Sequence, residues 1–270
     1  MLKTEQRNPR TTHIDKMSTI EMVRIINDEN RRSVEAVEAA LDSVAKAIDL
    51  VAAAFEKGGR LIYFGAGTSG RIAMMDATEC PPTYGVDPGM VVPVMAGGEK
   101  AFLHAAENEE DQADCGENDL LALTPTANDV IMGISASGGA AYVEAAMRKA
   151  KSIGCKTLSL ASNHPCKISE LADVAIYTDT GAEVITGSTR MKAGNAQKFV
   201  LNMITTCAMV KTGKVYENMM VNLKPTNVKL KGRMCRIVAD ACGVSEEEAL
   251  ALLEEHGFVI REVLKAKGKI

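Results

Sequence analysis

Five short runs, mostly rich in valine, isoleucine and leucine, occur at residues 60–65, 90–95, 129–134, 156–161 and 173–178, and segments of helical character at 70–78, 99–112, 140–152 and 166–172 lie between them. Runs this short and apolar suit strands buried on both faces, and regular alternation with helices joins such strands through parallel crossovers. The chain is therefore predicted to be an α/β protein with a mostly parallel five-stranded sheet covered by helices.

Helices flank this block. Residues 1–17 are polar and read as extended, and Ser18 with Glu21 forms a capping box ahead of the short stripe Ile20, Val23 and Ile26. A second amphipathic helix is expected from about Val34 to Phe55, with Ser33 as its N-cap and Val34, Val37, Leu41, Val44, Ile48 and Val51 as its apolar stripe. A long helix is expected from about Ser188 to Thr212, with Met191, Ala193, Ala196, Phe199, Met203 and Ala208 turned inward. Two more are expected near 227–241 and 245–265, the second opened by Ser245 and Glu248. The predicted organisation is an N-terminal strap with helices over 1–55, the sheet domain over 56–213, and a C-terminal helical segment over 214–270.

Composition removes several function classes. With 24% charged residues and a net charge of −4, the chain lacks the basic field that generic nucleic-acid binding needs. The absence of tryptophan argues against base-stacking platforms. No run reaches the ~18 apolar residues of a membrane span, and Met1–Asn8 lack a signal peptide's apolar stretch. Seven irregularly spaced cysteines without a C-x-x-C pair fit free thiols in a reducing cytoplasm.

Two of the strands run into similar turns. Leu61–Phe64 leads into Gly65-Ala66-Gly67-Thr68-Ser69-Gly70-Arg71, and Val130–Ile134 leads into Ser135-Ala136-Ser137-Gly138-Gly139. Glycine- and hydroxyl-rich turns ahead of a helix gather backbone N–H groups around an anion. Gly67, Thr68, Ser69, Arg71, Ser135, Ser137 and Gly138 are the candidate binding residues. Gly65-x-Gly67-x-x-Gly70 also matches the dinucleotide fingerprint formally, but Glu99 comes later than the ribose-binding carboxylate should. A ligand-free tight turn is the other alternative.

Candidate acid–base groups follow. Pro81-Pro82 is expected to end the helix after the first turn, which leaves Glu79 near a helix C-terminus where the dipole raises a carboxyl's pKa and suits a general acid. A solvated glutamate at a helix end is the alternative. Glu107, Glu109, Glu110 and Asp111 form a second acidic cluster, and elimination chemistry needs such a second carboxylate, although the residues alone do not choose among the four. His104 reads as a surface or satisfied core histidine. After the fifth strand, Thr186, Ser188 and Thr189 precede a helix carrying Arg190 and Lys192 in its first turn. Cations there oppose the dipole and point to a bound anion, with a plain capped helix as the alternative.

Gly65–Arg71, Asp76–Gly85 and Gly181–Lys198 together resemble the N-acetylmuramic acid 6-phosphate etherases, a branch of the sugar isomerase (SIS) domain family. Thr4-Glu5-Gln6-Arg7-Asn8-Pro9 and Ile14-Asp15-x-Met17-Ser18-Thr19 resemble that family's N-terminal strap, and the similarity runs over roughly residues 3 to 240. The resemblance implies a three-layer αβα sandwich, a homodimer, and no metal or organic cofactor. It also implies cleavage of the D-lactyl ether of N-acetylmuramic acid 6-phosphate to N-acetylglucosamine 6-phosphate and D-lactate, in recycling of cell-wall sugar. By motif, the family's catalytic carboxylates fall on Glu79, assigned as acid, and Glu110, assigned as base, while the turn residues and Ser188, Thr189, Arg190 and Lys192 hold the sugar phosphate. The related glucokinase regulatory protein shares the Gly181–Lys198 signature without catalysis. A sugar-phosphate sensor, or an isomerase using Glu183 or a histidine, are thus the alternative functions.

The chain departs from the family pattern in places. Gly139 and Ala140 stand where the family has Arg and Thr, Asn195 where it has a small residue or Thr, and the C-terminal segment reads as shortened.

Overall fold

All five predicted strands form in the computed structural model, as β1 (Leu61–Gly65), β2 (Val91–Met95), β3 (Val130–Ile134), β4 (Lys156–Ala161) and β5 (Val174–Tyr177). They make one parallel sheet in the order β2-β1-β3-β4-β5. The structure describes residues 1–106, 108–225 and 227–270. It divides into two compact units, one of Met1–Ala77 with Gly89–Ala208 and the other of Thr78–Pro88 with Met209–Ile270.

The sheet lies in the first unit, with α1 (Thr19–Glu38), α2 (Leu41–Glu56), α4 (Gly98–Leu103), α5 (Ala113–Ala122), α6 (Ala141–Ile153) and α7 (Lys167–Leu171). Two longer helices, α3 (Gly67–Tyr84) and α8 (Lys192–Lys211), begin there and end in the second unit. Alternation along the strands sorts side chains between the two faces. Ile62, Phe64 and Ile131 bury against Leu120 of α5, Tyr142, Val143 and Met147 of α6, and Ile168 of α7. On the other face α2 packs on the strands. There the Tyr63 hydroxyl donates to Asp76 of α3 at 2.9 Å, and Asp76 also accepts from Asn202 (2.9 Å) and Thr205 (3.2 Å) of α8. Burial, outweighing these hydrogen bonds, raises the Asp76 pKa. The helices on the two faces complete the αβα sandwich.

The second unit has its own core, in which Met234 and Val238 of α9 (Val228–Cys242) meet Ala249 and Leu253 of α10 (Glu246–Glu255) and Ile260 and Val263 of α11 (Ile260–Ala266). A short hairpin of β6 (Val215–Tyr216) and β7 (Met219–Met220) stands ahead of them.

Several boundaries differ from the sequence expectation. Ser33 caps no helix: it is buried within α1, its hydroxyl donating to the Lys192 carbonyl at 3.0 Å, and the break falls at Ala39–Ala40. Alanine is the best helix former, so a break there has no local signature. The capping box of Ser18 and Glu21 forms as read. Pro81-Pro82 does not stop α3, which runs on to Tyr84 and closes through Gly85 N–H on the Pro81 carbonyl at 2.9 Å. Within the second unit the Asn222 amide donates to the Tyr84 carbonyl at 2.7 Å and secures this last turn. The helix expected over 99–112 stops at Leu103, and Asn108, at φ 66°, introduces a 3₁₀ turn of Glu109–Asp111. The last expected helix splits into α10 and α11 where Gly257 and Phe258 take φ values of 60° and 59°.

Candidate active site

In an open parallel sheet, ligands bind beyond the strands' carboxyl ends where the strand order reverses. Here that point lies between β1 and β3, whose last residues, Gly65 and Ile134, are paired. The two glycine- and hydroxyl-rich turns leave these neighbouring strands. They converge on one cavity of about 270 Å³ lined by Gly67, Thr68, Ser69, Ser135, Ser137 and Ala140. Glu5, Glu110, Gly187 and Thr189 line it as well. Gly67 opens α3 and Ala140 caps α6, so two helix N-termini border the same space. Unpaired first-turn N–H groups and the positive ends of two dipoles make that space favourable to an anion.

Each turn is held differently. A Cβ at Gly70 would lie 2.7 Å from Met95 Cγ and 3.0 Å from the Gly65 carbonyl oxygen, so only glycine lets α3 start this close to β1 and β2. In the second turn the Ser135 hydroxyl accepts from Gly138 N–H at 3.1 Å and the Ser137 hydroxyl from Gly139 N–H at 3.2 Å, with the two hydroxyls 3.3 Å apart. One of the two hydroxyl protons is used in the bond between the serines, which leaves the other free to donate to a ligand oxygen. A Cβ at Gly139 would meet only Ser137 Oγ, at 3.8 Å.

The remaining predicted residues are distributed unevenly. Thr189 lines the cavity; Ser188 is half-buried beside it in the chain and Arg190 is exposed. Lys192 is elsewhere, 1% exposed, its ammonium donating to Glu29 and to the Ala182 carbonyl, each at 2.6 Å. Glu29 also accepts from Asn8 and Arg10, each at 2.7 Å. Burial pushes the Glu29 pKa up, but Lys192, Asn8 and Arg10 outweigh it and leave it below the usual carboxylate range. Arg71 lines an adjoining cavity of about 450 Å³, but its guanidinium donates to the carbonyls of Ala101 (2.6 Å), Phe102 (3.0 Å) and His104 (3.0 Å), closing the end of α4. Glu183 is fully buried and caps α8, accepting from Lys192 N–H at 3.1 Å and Ala193 N–H at 2.9 Å. It lines neither cavity.

Of the acidic cluster, Glu110 lines both cavities and Glu109 only the larger. Asp111 lines neither, and Glu107 lies outside the described residues. His104 is exposed. Glu79 belongs to the second unit, exposed on α3 five residues before its end rather than at its terminus.

Three residues of this region carry no motif that marks them in the sequence as ligands: Glu5, Gly187 and Asn163. Asn163 follows β4, and its amide donates to Thr4 Oγ1 and to the Ala136 carbonyl, each at 3.0 Å, joining the N-terminal strap to the second turn. A polar residue just past a parallel strand was the available signal.

This is the architecture of a sugar-isomerase-type domain. The SIS domain model matches residues 117–207, and that of the glucokinase regulatory protein N-terminal SIS domain matches 43–151. The fold is shared with a phosphoheptose isomerase from Neisseria gonorrhoeae, at 20% identity and a TM-score of 0.55 over 71% of this chain and 98% of that one. It is shared too with a phosphoheptose isomerase from Francisella tularensis, at 17% identity and a TM-score of 0.53 over 74% and 100% of the two chains. Much nearer in sequence is the N-acetylmuramic acid 6-phosphate etherase of Serratia proteamaculans, 51% identical over 263 residues, 97% of this chain and 89% of that protein. N-acetylmuramic acid 6-phosphate etherase 2 of Vibrio parahaemolyticus is 53% identical over 248 residues, 92% and 83% of the two chains. The chain belongs to the N-acetylmuramic acid 6-phosphate etherase family.

Proposed function

We propose that this protein is a carbon–oxygen lyase that cleaves the D-lactyl ether of N-acetylmuramic acid 6-phosphate, giving N-acetylglucosamine 6-phosphate and D-lactate. The observation that carries the reading is the single cavity at the β1–β3 switch point, where two hydroxyl-rich turns, two helix N-termini and the Glu110 carboxylate meet in a chain of this family. In the first unit the phosphate is bound by the hydroxyls of Thr68, Ser69, Ser135, Ser137 and Thr189 and by N–H groups around Gly67, while the N–H groups of Gly138 and Gly139 hold Ser135 and Ser137, with no lysine or arginine lining that cavity among the described residues. That binding energy, spent away from the reacting carbons, aligns C2 and C3.

The chemistry follows from the substrate. In the open-chain sugar the aldehyde acidifies the C2 proton, and Glu110 removes it. The electron pair left on C2 forms the C2–C3 double bond as the C3–oxygen bond breaks, and Glu79 protonates the departing lactyl oxygen. Water then adds at C3 and a proton returns to C2, the carboxylates exchanging roles. Ser188 and Arg190 are assigned to the rim of the site, while the burial of Lys192 against Glu29 gives it a structural part in holding α8, α1 and the strap together.

The working form is a homodimer in the cytoplasm. In support, a groove of about 790 Å³ runs over α1 and α8, lined by Val34, Val37, Leu41, Phe199, Met203 and Cys207. Val34 is 56% and Leu41 45% exposed, and both belong to the apolar stripe expected over Val34–Val51. A contiguous apolar face of this kind marks an interaction surface. No helix among the described residues is long and apolar enough to cross a membrane.

Incubation of the protein with N-acetylmuramic acid 6-phosphate should release D-lactate. A folded protein that stabilises on adding sugar phosphates yet releases none would be a sensor instead.

A further inference from the structure

The cavity contains a carboxylate that the lyase chemistry does not use. Glu5 sits in a 3₁₀ turn of the N-terminal strap (Lys3–Glu5) and lines the same space as Ser69, Ser135 and Glu110. Its position is built from three sides. Thr4, fully buried, accepts from the Asn163 amide, while Lys3 N–H donates to Asn163 Oδ1 at 2.8 Å. Asn163 is itself tied to the Ala136 carbonyl of the second turn, so strap and turn are fixed to one another. On the facing loop, Gly187 at φ 75° leaves room for the carboxylate: a Cβ there would lie 3.0 Å from Glu5 Oε2. The neighbouring cation does not neutralise it, because the Lys3 ammonium bonds Asp179 and Tyr177. Among the described residues the Glu5 carboxylate has no hydrogen-bond or ion-pair partner.

An ionised carboxylate accepts hydrogen bonds and donates none. In a cavity whose turns suit an anion, it repels the phosphate and attracts hydroxyl and amide N–H groups. We propose that Glu5 is a positioning and specificity-determining residue, delivered by the strap, that accepts hydrogen bonds from neutral donors of the bound sugar, its hydroxyls or its acetamido N–H. It thereby sets which end of the molecule enters the turns. This rests on the reading of the cavity as the sugar-phosphate site.

The test compares two probes, N-acetylmuramic acid 6-phosphate as substrate and inorganic phosphate as competitive inhibitor. Losing a hydrogen bond to a charged acceptor in Glu5→Ala should raise KM for the sugar phosphate about tenfold or more, with kcat nearly unchanged. Removing the negative charge should at the same time tighten inhibition by inorganic phosphate about two- to threefold or more. Glu5→Gln, which keeps an acceptor, should recover part of the lost affinity. Thr4→Val, which removes one of the strap's two hydrogen bonds to Asn163, supplies the pattern of a purely structural effect, with both probes weakened. Opposite movement of the two probes in Glu5→Ala supports the proposal; parallel weakening, or an unchanged KM, overturns it. If neither probe engages the unaltered protein, the reading of the cavity itself fails and the role of Glu5 falls with it.

Discussion

The two turns look alike as sequences and differ as structures. The first starts a helix hard against the sheet: Gly70 abuts Met95 and the Gly65 carbonyl, and Arg71 is spent on three carbonyls at the end of α4. Its part is to aim α3. The second closes on itself through Ser135 and Ser137, and the position after Gly138 faces open space. Residues suited to the same ligand thus divide the work between a rigid helix start and a hydroxyl-lined loop. The loop also carries Gly139 and Ala140, where the family resemblance implies Arg and Thr.

The largest effect should come from the group that adjoins both turns. Glu110→Gln should lower kcat by about 10²–10⁴-fold, the usual contribution of a general base, while sugar-phosphate affinity in a thermal-shift titration stays nearly constant. A loss of affinity without loss of kcat would make Glu110 a binding residue and remove the chemistry from this cavity.

Stability tests the contrast in packing. Gly70→Ala should cost roughly 1–3 kcal/mol in denaturant unfolding, since its Cβ meets backbone and a packed methionine. Gly139→Ala, whose Cβ meets nothing closer than 3.8 Å, should stay within about 0.5 kcal/mol of the parent. Equal costs would mean that the turns are not built differently.

A smaller gain sharpens the comparison from the other side. Introducing the Arg and Thr that the family resemblance implies, Gly139→Arg with Ala140→Thr, should tighten phosphate-bearing ligands about tenfold, in line with ~1.5 kcal/mol for one hydrogen bond to a charged group. No change in a phosphate competition assay would show that the second turn does not face the phosphate.

Much of this was legible in the sequence because it is local. The five strands lie within a residue or so of their apolar runs, and both turns stand where glycine and hydroxyl residues follow those runs. Pairing was not legible. That β1 lies beside β3, so that the turns share one cavity, depends on contacts between segments some seventy residues apart. For the same reason Lys192 read as a ligand cation, although Glu29, over 160 residues away, takes its charge into the core. Glu183, one of the groups an isomerase alternative would use, caps the helix that follows it. Phe199 and Met203 fitted an inward stripe, yet they lie at the groove over α1 and α8, where period alone cannot separate a core face from an interface.

In this mechanism the protein eliminates lactate across C2 and C3 and then hydrates the product. Product analysis after turnover of N-acetylmuramic acid 6-phosphate in ¹⁸O-water tests it most directly. Elimination and hydration should give equimolar D-lactate and N-acetylglucosamine 6-phosphate, with the label in the C3 hydroxyl of the sugar and none fixed at the lactate ether oxygen. Label on that lactate oxygen, or no lactate at all from the folded protein, would contradict it.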